Sequence, residues 1–336
     1  MKKKLPTIKE IASRLNISVS SVSKALRDHP SIGLVTRMKV KKLAEDLGYE
    51  KNLSAISFQQ QKSLIIGVII PELREEFFSA AMNGIEKIAR HHHYVVLIGQ
   101  SHDDAELEAE IVGSMKKHRV DGVLVSISKN TPNIDHFSPL EKSGIPVVYF
   151  DRVPQSADIN SVSCNLYYSS MEIIDYLVSQ GHHRIGYIQG PETLSIRNER
   201  LEGYYDAHKR KNLSVDPLLL ANTDFSSEST FAAMENLLSL KKRPTAIIAF
   251  NDYVAFDAIE WAKRKKIKIN QDITFISYAN LPISLYMDNS PLASVEQFPY
   301  EQGCKAAELL ISLINNVDDH IPYQNIELKG QLILHT

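Results

Sequence analysis

The chain has 336 residues, more than one hydrophobic core usually serves, so two or three domains are expected. With 43% hydrophobic and 23% charged residues it has the composition of a globular chain, which excludes a disordered or fibrous one. The formal net charge of −2 hides an asymmetry: residues 1–60 carry twelve Lys and Arg against five Asp and Glu, a net of +7, which leaves −9 for the remainder.

A small basic head on a larger acidic body points to a head that meets a polyanion, the competing reading being a basic solvated tail. The opening Met1-Lys-Lys-Lys-Leu5-Pro6 is basic, but no apolar stretch of about 7–15 residues follows it, so no secretory signal is expected. Three short helices follow. Thr7 stands at an N-cap position with Glu10 three residues on, the spacing of a capping box. Ile8, Ile11, Ala12 and Leu15 then repeat along one helical face. Asn16 tolerates the left-handed backbone of a tight turn. Ser18 caps a second helix with an inner face of Val22, Ala25 and Leu26 and small residues outside. A third helix buries Val40, Leu43, Ala44 and Leu47 and stops at Gly48.

Two short helices separated by three residues match a helix-turn-helix, in which the second helix enters a major groove. Small polar side chains at its start avoid clashes. Lys24 can donate to guanine, and Ser20 and Ser21 can bond bases or phosphates. An accessory three-helix domain with a Ser-rich solvated face remains the alternative on pattern and charge.

The residues Thr7-Ile-Lys-Glu-Ile-Ala12, Asn16-Ile-Ser-Val-Ser-Ser-Val-Ser-Lys-Ala-Leu26, Thr36-Arg37, Leu47-Gly48-Tyr49, Asn52 and Ala55 resemble the head of the LacI/GalR family of bacterial repressors. The resemblance implies base reading by Val19, Ser20 and Lys24, within a DNA-binding set of Thr7, Ser18, Val19, Ser20, Ser21, Ser23, Lys24, Thr36 and Arg37. It also implies a hinge helix over 52–58 that enters the minor groove, with contacts from Asn52, Ala55 and Phe58. Lys24 replaces the usual Arg and loses bidentate guanine recognition. Asn16 replaces the Gly of the turn, Gly33 the Ser that opens the third helix, and Lys51 the Pro before the hinge. Phe58 takes the place of the Leu wedge; an apolar wedge can unstack a base step, the alternative being an interdomain plug.

From residue 64 onward short apolar runs alternate with amphipathic stretches. Strands are expected at 64–70, 94–99, 122–127, 146–150, 184–189, 245–250 and 274–278. Helices are expected near 77–91, 104–118, 168–180, 195–211, 227–240, 253–265 and 299–316. Even the longest apolar run, Leu64 to Ile70, falls far short of the roughly 20 residues of a membrane span, so no membrane partner is expected. The alternation predicts α/β lobes with parallel sheets covered by helices on both faces, and about 270 residues suffice for two of them. Cys164 and Cys304 form neither a disulfide framework nor a metal spacing, so a cytoplasmic protein without cofactor or metal is expected.

Ligands of open α/β sheets bind beyond the carboxyl ends of the strands. There the sequence places Phe77-Phe78, Asp151-Arg152, Arg197, Asn198, Arg200, Asn251-Asp252 and Asn280. Carboxylates, amides and guanidinium groups beside an aromatic pair suit a polyhydroxylated, sugar-like ligand. Each position also has a local structural reading, such as a helix cap at Asp151 or Asn251.

The body resembles the same family's two-lobed, periplasmic-binding-protein-like effector domain. Phe77-Phe78 with Gly84-Ile85, Val120-Asp121-Gly122, Ile145-Pro146-Val147 through Asp151-Arg152, and Gly181-His182-His183-Arg184-Ile185 carry the likeness, as do Arg200-Leu201 with Gly203-Tyr204, Phe250-Asn251-Asp252, and Leu292 through Gln297. The resemblance implies effector contacts at Phe77, Phe78, Asp151, Arg200 and Asn251-Asp252. The family's Gly-Tyr-Asp is here Ser277-Tyr278-Ala279, with Asn280 as the expected substitute for the missing carboxylate.

The family also implies three crossings between lobes, near 162, 291 and 323. The expected organisation is therefore a DNA-binding domain over 1–50, a hinge and linker over 51–63, a first lobe of 64–162 plus 292–323, and a second of 163–291 plus 324–336. The function expected is that of a homodimeric transcription regulator that binds pseudo-palindromic double-stranded operator DNA under control of a small effector.

An enzyme is not expected. Pro71-Glu72, not a glycine-rich turn, follows the first strand, and no P-loop, Gly-x-Ser-x-Gly or HExxH pattern occurs. Three consecutive histidines, His91-His92-His93, point about 100° apart on a helix and do not converge on one ion; a helix C-terminus that favours positive charge explains them better. An exported solute-binding protein would need a signal and would have no use for the head.

Overall fold

The computed structural model describes residues 6–49, 62–316 and 322–335, and the chain divides into two units, Met1–Ser63 and Leu64–Thr336. The expected hinge helix over 52–58, with Asn52, Ala55 and Phe58, lies outside the described residues.

In the first unit, α1 (Ile8–Leu15), α2 (Val19–Leu26) and α3 (Leu34–Leu47) enclose a core of Ile11, Ala12, Val22, Ala25, Val40 and Ala44. Half of the expected capping box forms. The Glu10 amide donates to Thr7 Oγ1 at 3.3 Å, but the Glu10 carboxylate turns to Arg14 one turn on, at 2.6 Å. Asn16 ends α1 in the left-handed region (φ 51°), and Ser18 then caps α2 by accepting from the Ser21 amide at 3.0 Å. Such caps contribute about 1 kcal/mol each, a large share of what helices this short need. Gly33 offers α3 no side-chain cap, and Gly48 closes it with φ 63°.

Among the described residues of the second unit, twelve strands form two six-stranded sheets. The first, wholly parallel, contains β1 (Ile65–Ile70), β2 (Val95–Gln100), β3 (Gly122–Val125), β4 (Val147–Phe150), β5 (Asn160–Asn165) and β11 (Asn325–Lys329), in the order β11-β5-β4-β3-β1-β2. The second contains β6 (Ile185–Gln189), β7 (Leu220–Asn222), β8 (Ala246–Ala249), β9 (Thr274–Tyr278), β10 (Ala293–Glu296) and β12 (Gln331–Leu334), in the order β12-β10-β9-β8-β6-β7. Only β12 runs antiparallel to its neighbour in this second sheet.

The helices α4 (Glu76–His91), α5 (Ala105–Lys117), α6 (Leu166–Ser179), α7 (Ser195–Arg210), α8 (Ser227–Leu238), α9 (Asp252–Arg264) and α10 (Pro299–Asn315) stand where the periodicity predicts them. The helix α10 packs against α4 so closely that a side chain on Gly303 would run into the Ala81 carbonyl. Each lobe has its own buried apolar core, around Ile66, Val68 and Phe78 in the first and Tyr187, Ile248 and Phe275 in the second. Among the described residues, no helix is long and apolar enough to cross a membrane.

The sheet pairing corrects the expected crossings. Residues 293–296 pair with β9, Ala293 opposite Ile276, and so belong to the second sheet; residues 325–329 pair with β5, Asn325 opposite Ser161, and belong to the first. The chain therefore changes lobes just after Asn165, at Gln297–Phe298 and at Gly330 rather than near 162, 291 and 323. Seven of these strands follow from the apolar runs of the sequence, whereas β5, β7, β10, β11 and β12 do not. Of the latter, the edge strand β11 carries polar residues at alternate positions, because an edge strand is half solvated and need not read as an apolar run, while β5 beside it is mostly polar in sequence.

Candidate functional site

The outer face of α2 presents Val19, 41% exposed, with Ser20 and Lys24 beside it, because Val22 and Ala25 take up the opposite face in the core. Four of the nine expected head residues, Thr7, Ser18, Ser21 and Arg37, are engaged internally. Thr7 and Ser18 cap helices, and the hydroxyl of half-buried Ser21 meets Ser18 Oγ at 2.9 Å. Ser23 and Thr36 are half-buried. Arg37 turns toward the loop before α3: its Nη1 donates to the Asp28 carbonyl at 3.2 Å, while Lys41 holds the Asp28 carboxylate at 2.6 Å. Its guanidinium thus braces the loop that sets α2 against α3.

In the body, the carboxyl ends of β1, β4, β8 and β9 open on a cleft between the lobes. The first lobe contributes Glu75, Phe77, Phe78, Asp151 and Arg152. The second contributes Leu194, Ile196, Arg200, Phe250, Asn251, Tyr253, Ala279 and Leu281, and Gln297 enters from the crossing. Six of the ten expected effector residues meet here: Phe77, Phe78, Asp151, Arg152, Arg200 and Asn251. The rings of Phe77 and Phe78 stand edge to face, 5.5 Å apart.

Neither arginine is loose. Arg152, largely buried, donates from Nη1 to Asp103 Oδ1 at 2.5 Å and lies over Phe78. Arg200 donates to the Phe250 carbonyl and to Gln297 Oε1, the latter at 3.2 Å. The carboxyls are the less committed groups. Burial pushes Asp151 up to about 6, against the pull of Arg152, Arg200 and the Ser126 hydroxyl. Burial also raises Glu75; Arg152 opposes the shift, and the nearby Asp103, Asp151 and Glu72 carboxylates add to it. Asp151 has φ 59°, so a left-handed backbone aims this carboxyl at the opening.

Of the other four expected effector residues, Asp252, Asn198 and Asn280 do not line the cleft. Asp252 is wholly buried and faces inward: its carboxylate accepts from Ser277 Oγ, from Ser294 Oγ at 2.7 Å and from the Leu281 amide at 2.6 Å. Being the first residue of α9, it points back into β9 and β10, where three donors offset the cost of burying its charge. Asn198 lines an adjoining polar groove with Glu199, Glu202 and Glu327. The side chain of Arg197 lies outside the described atoms.

Among the described residues no group of three His, Cys, Asp or Glu could hold a metal ion. The described lining of the cleft offers hydrogen-bond acceptors, donors and aromatic faces, the groups that bind a small polar ligand.

The family model described as "Periplasmic binding proteins and sugar binding domain of LacI family" matches residues 63–331, and that described as "Bacterial regulatory proteins, lacI family" matches residues 7–52. The chain belongs to the LacI family. Over 305 residues it is 31% identical to the HTH-type transcriptional repressor CytR of Escherichia coli K12, covering 91% of this chain and 89% of that one. The lac repressor dimer bound to operator and the anti-inducer ONPF shares its fold with a TM-score of 0.84, at 22% identity over 98% of both chains. The transcription regulator CcpA of Lactococcus lactis gives a TM-score of 0.73 at 26% identity, covering 80% of this chain and 97% of that one.

One departure of this LacI-family chain resolves differently from expectation. The Ala279 methyl, on a backbone with φ 104°, lines the cleft where the resemblance implies a carboxylate. Asn280 does not replace it. Its amide donates to Glu296 at 2.9 Å and its carbonyl meets His335 at 3.1 Å, because φ 49° turns the side chain toward β10 and the chain end. The cleft instead gains groups that residue types alone did not mark: Glu75, Tyr253 and Gln297. Glu75 and Tyr253 sit one or two residues from expected positions, and Gln297 lies in the segment that carries the resemblance, so proximity to a strand end was the signal available for them.

Proposed function

We propose that this LacI-family chain is a homodimeric, operator-binding repressor whose grip on DNA is set by a small polyhydroxylated effector held between its lobes. The single observation that carries the reading is the cleft: two carboxyls, two braced guanidinium groups and two amides converge beside the Phe77–Phe78 pair at the strand ends, on a chain that also bears a helix-turn-helix. Carboxylates and amides bond hydroxyl groups while a ring covers the apolar face of a sugar. Exposed Val19, Ser20 and Lys24 on α2 suit entry into a major groove.

Two surfaces support the dimer. The strand β2 is an outer strand of its sheet and exposes Val95, Leu97 and Ile98, while the turn at Pro282–Tyr286 exposes Ile283, Leu285 and Tyr286. Apolar edges and prongs of this kind are ordinarily covered by a partner. By linkage, effector and operator must then change each other's affinity by the same factor.

The test is a titration. Sugars and sugar phosphates that raise the melting temperature are added while binding to a selected pseudo-palindrome is followed by fluorescence anisotropy. A reciprocal shift in both affinities is expected. Removal of residues 1–63 should abolish DNA binding and preserve the effector-induced rise in melting temperature. Equal binding to palindromic and random duplexes, with and without effector, would overturn the reading.

A further inference from the structure

The walls of the cleft also meet away from the aromatic pair, through Lys129 in the segment that follows β3. Its ammonium donates to the Asp224 carbonyl at 2.8 Å and lies 5.4 Å from the Phe225 ring centre, and its own carbonyl accepts from Thr193 Oγ1. Asp224, Phe225 and Thr193 all belong to the second lobe. Bonds from Ser226 and Ser229 hold the Asp224 carboxyl well below the usual carboxylate range, which keeps a negative charge beside this cation.

Lys129 is not on a slack loop. Glu108 of α5 is wholly buried, and its carboxylate accepts from the Ser128 amide at 2.6 Å, from Ser128 Oγ and Thr131 Oγ1 at 2.8 Å each, and meets His136 Nε2 at 2.9 Å. A buried carboxylate is tolerable only while such partners stay in place, so this network welds residues 128–136 to the first lobe. The Lys129 amide, in turn, donates at 2.8 Å to Asp103 Oδ1, the same oxygen that accepts from Arg152 in the cleft at 2.5 Å. His102 and Asp103 are consecutive left-handed residues without being glycines, with φ 51° and 60°. That conformation costs free energy and persists where the surroundings impose it, as they do here on a side chain serving two donors.

We propose that Lys129 is the clasp that holds the two lobes closed, and that Asp103 is a positioning residue that ties the clasp to Arg152 in the cleft. The clasp presents a charged donor from a rigid mount, so its loss lowers the population of the closed form. An effector that binds only the closed form then binds more weakly in proportion. The second of these effects rests on the effector reading above; the first does not.

Spin labels placed through Glu110→Cys and Lys241→Cys, one on each lobe, in a Cys304→Ser background of the full chain, report the interlobe distance without ligand. Lys129→Ala and Asp103→Ala should each broaden the distribution toward longer distances. Lys129→Arg, which keeps a charged donor, should restore it, and the surface control Lys116→Ala should change nothing. Effector dissociation constants should rise about three- to tenfold in the first two variants. Unchanged distances in Lys129→Ala would overturn the clasp, even with effector binding intact. A less stable Asp103→Ala with wild-type distances would assign Asp103 a purely structural role and overturn the coupling. Absence of any effector response in the unaltered protein, with the distance changes present, would instead count against the proposed function alone.

Discussion

Arg200 lies over the ring of Tyr278 with 4.2 Å between the guanidinium carbon and the ring centre, and it stands at the same 4.2 Å from Phe250. Two aromatic faces and the bonds to the Phe250 carbonyl and Gln297 leave this cation almost no freedom, although it lines the cleft. A binding group held this way needs little ordering when a ligand arrives. Arg200→Lys keeps the charge but loses the planar stack and the fork of donors. It should weaken effector binding by about 1–2 kcal/mol, the scale of a desolvated cation–π contact, and lower the melting temperature. Calorimetric titration of the variant beside a thermal melt checks both; an unchanged affinity would remove Arg200 from the binding set.

Asp151 carries a pH signature. Burial raises its carboxyl from an ordinary 3.8 to about 6, so the folded chain holds this proton more tightly than the unfolded chain does. The stabilisation linked to that proton is complete below pH 3.8, is lost as pH rises from 3.8 to about 6, and stays lost above. Asp151→Asn removes this contribution to the slope and should melt higher than the unaltered protein at pH 7, while losing affinity for a hydroxyl-bearing effector. Stability gained together with binding lost is the mark of a strained functional group. If the melting temperature fell at pH 7 instead, the carboxylate would be a structural anchor.

Asp252 should behave in the opposite way. Its three internal bonds join the start of α9 to β9, β10 and Leu281, so Asp252→Ala strands three buried donors. A loss of about 2–4 kcal/mol of stability is expected. Denaturant unfolding measures that loss, and effector affinity in the still-folded fraction should stay close to that of the unaltered chain. A variant of normal stability but poor affinity would return Asp252 to the binding set.

On the head, Lys24 stands exposed on α2 with Val19 and Ser20. Lys24→Ala should cost roughly 1–3 kcal/mol on the cognate operator and little on random duplex. Parallel binding curves on the two DNAs decide the matter: equal losses would mean that Lys24 touches phosphate alone.

Local signals in the chain carried a large part of this description. The helices of the head follow from i, i+3, i+4 repeats and from caps at Thr7 and Ser18. The central strands follow from buried runs such as Ile65–Ile70. The cleft residues Phe77, Asp151, Arg200 and Asn251 were legible because strand ends converge in this class of fold. Edge strands were not. Whether Asn325–Lys329 is a strand depends on β5, some 160 residues earlier, and its alternating polar pattern is compatible with a loop.

Residue type, spacing and charge by themselves thus determined a basic helical reader joined to a two-lobed α/β body with a polar, aromatic cleft, because caps and periodicity act over a single turn or strand. Only the tertiary structure decided the direction of each side chain: Asp252 and Asn280 inward, Arg37 onto its own loop, Glu75 and Gln297 into the cleft, Lys129 across to the other lobe. Those directions are set by partners far away in sequence and by the price of burying a charge without them, and no local pattern encodes either.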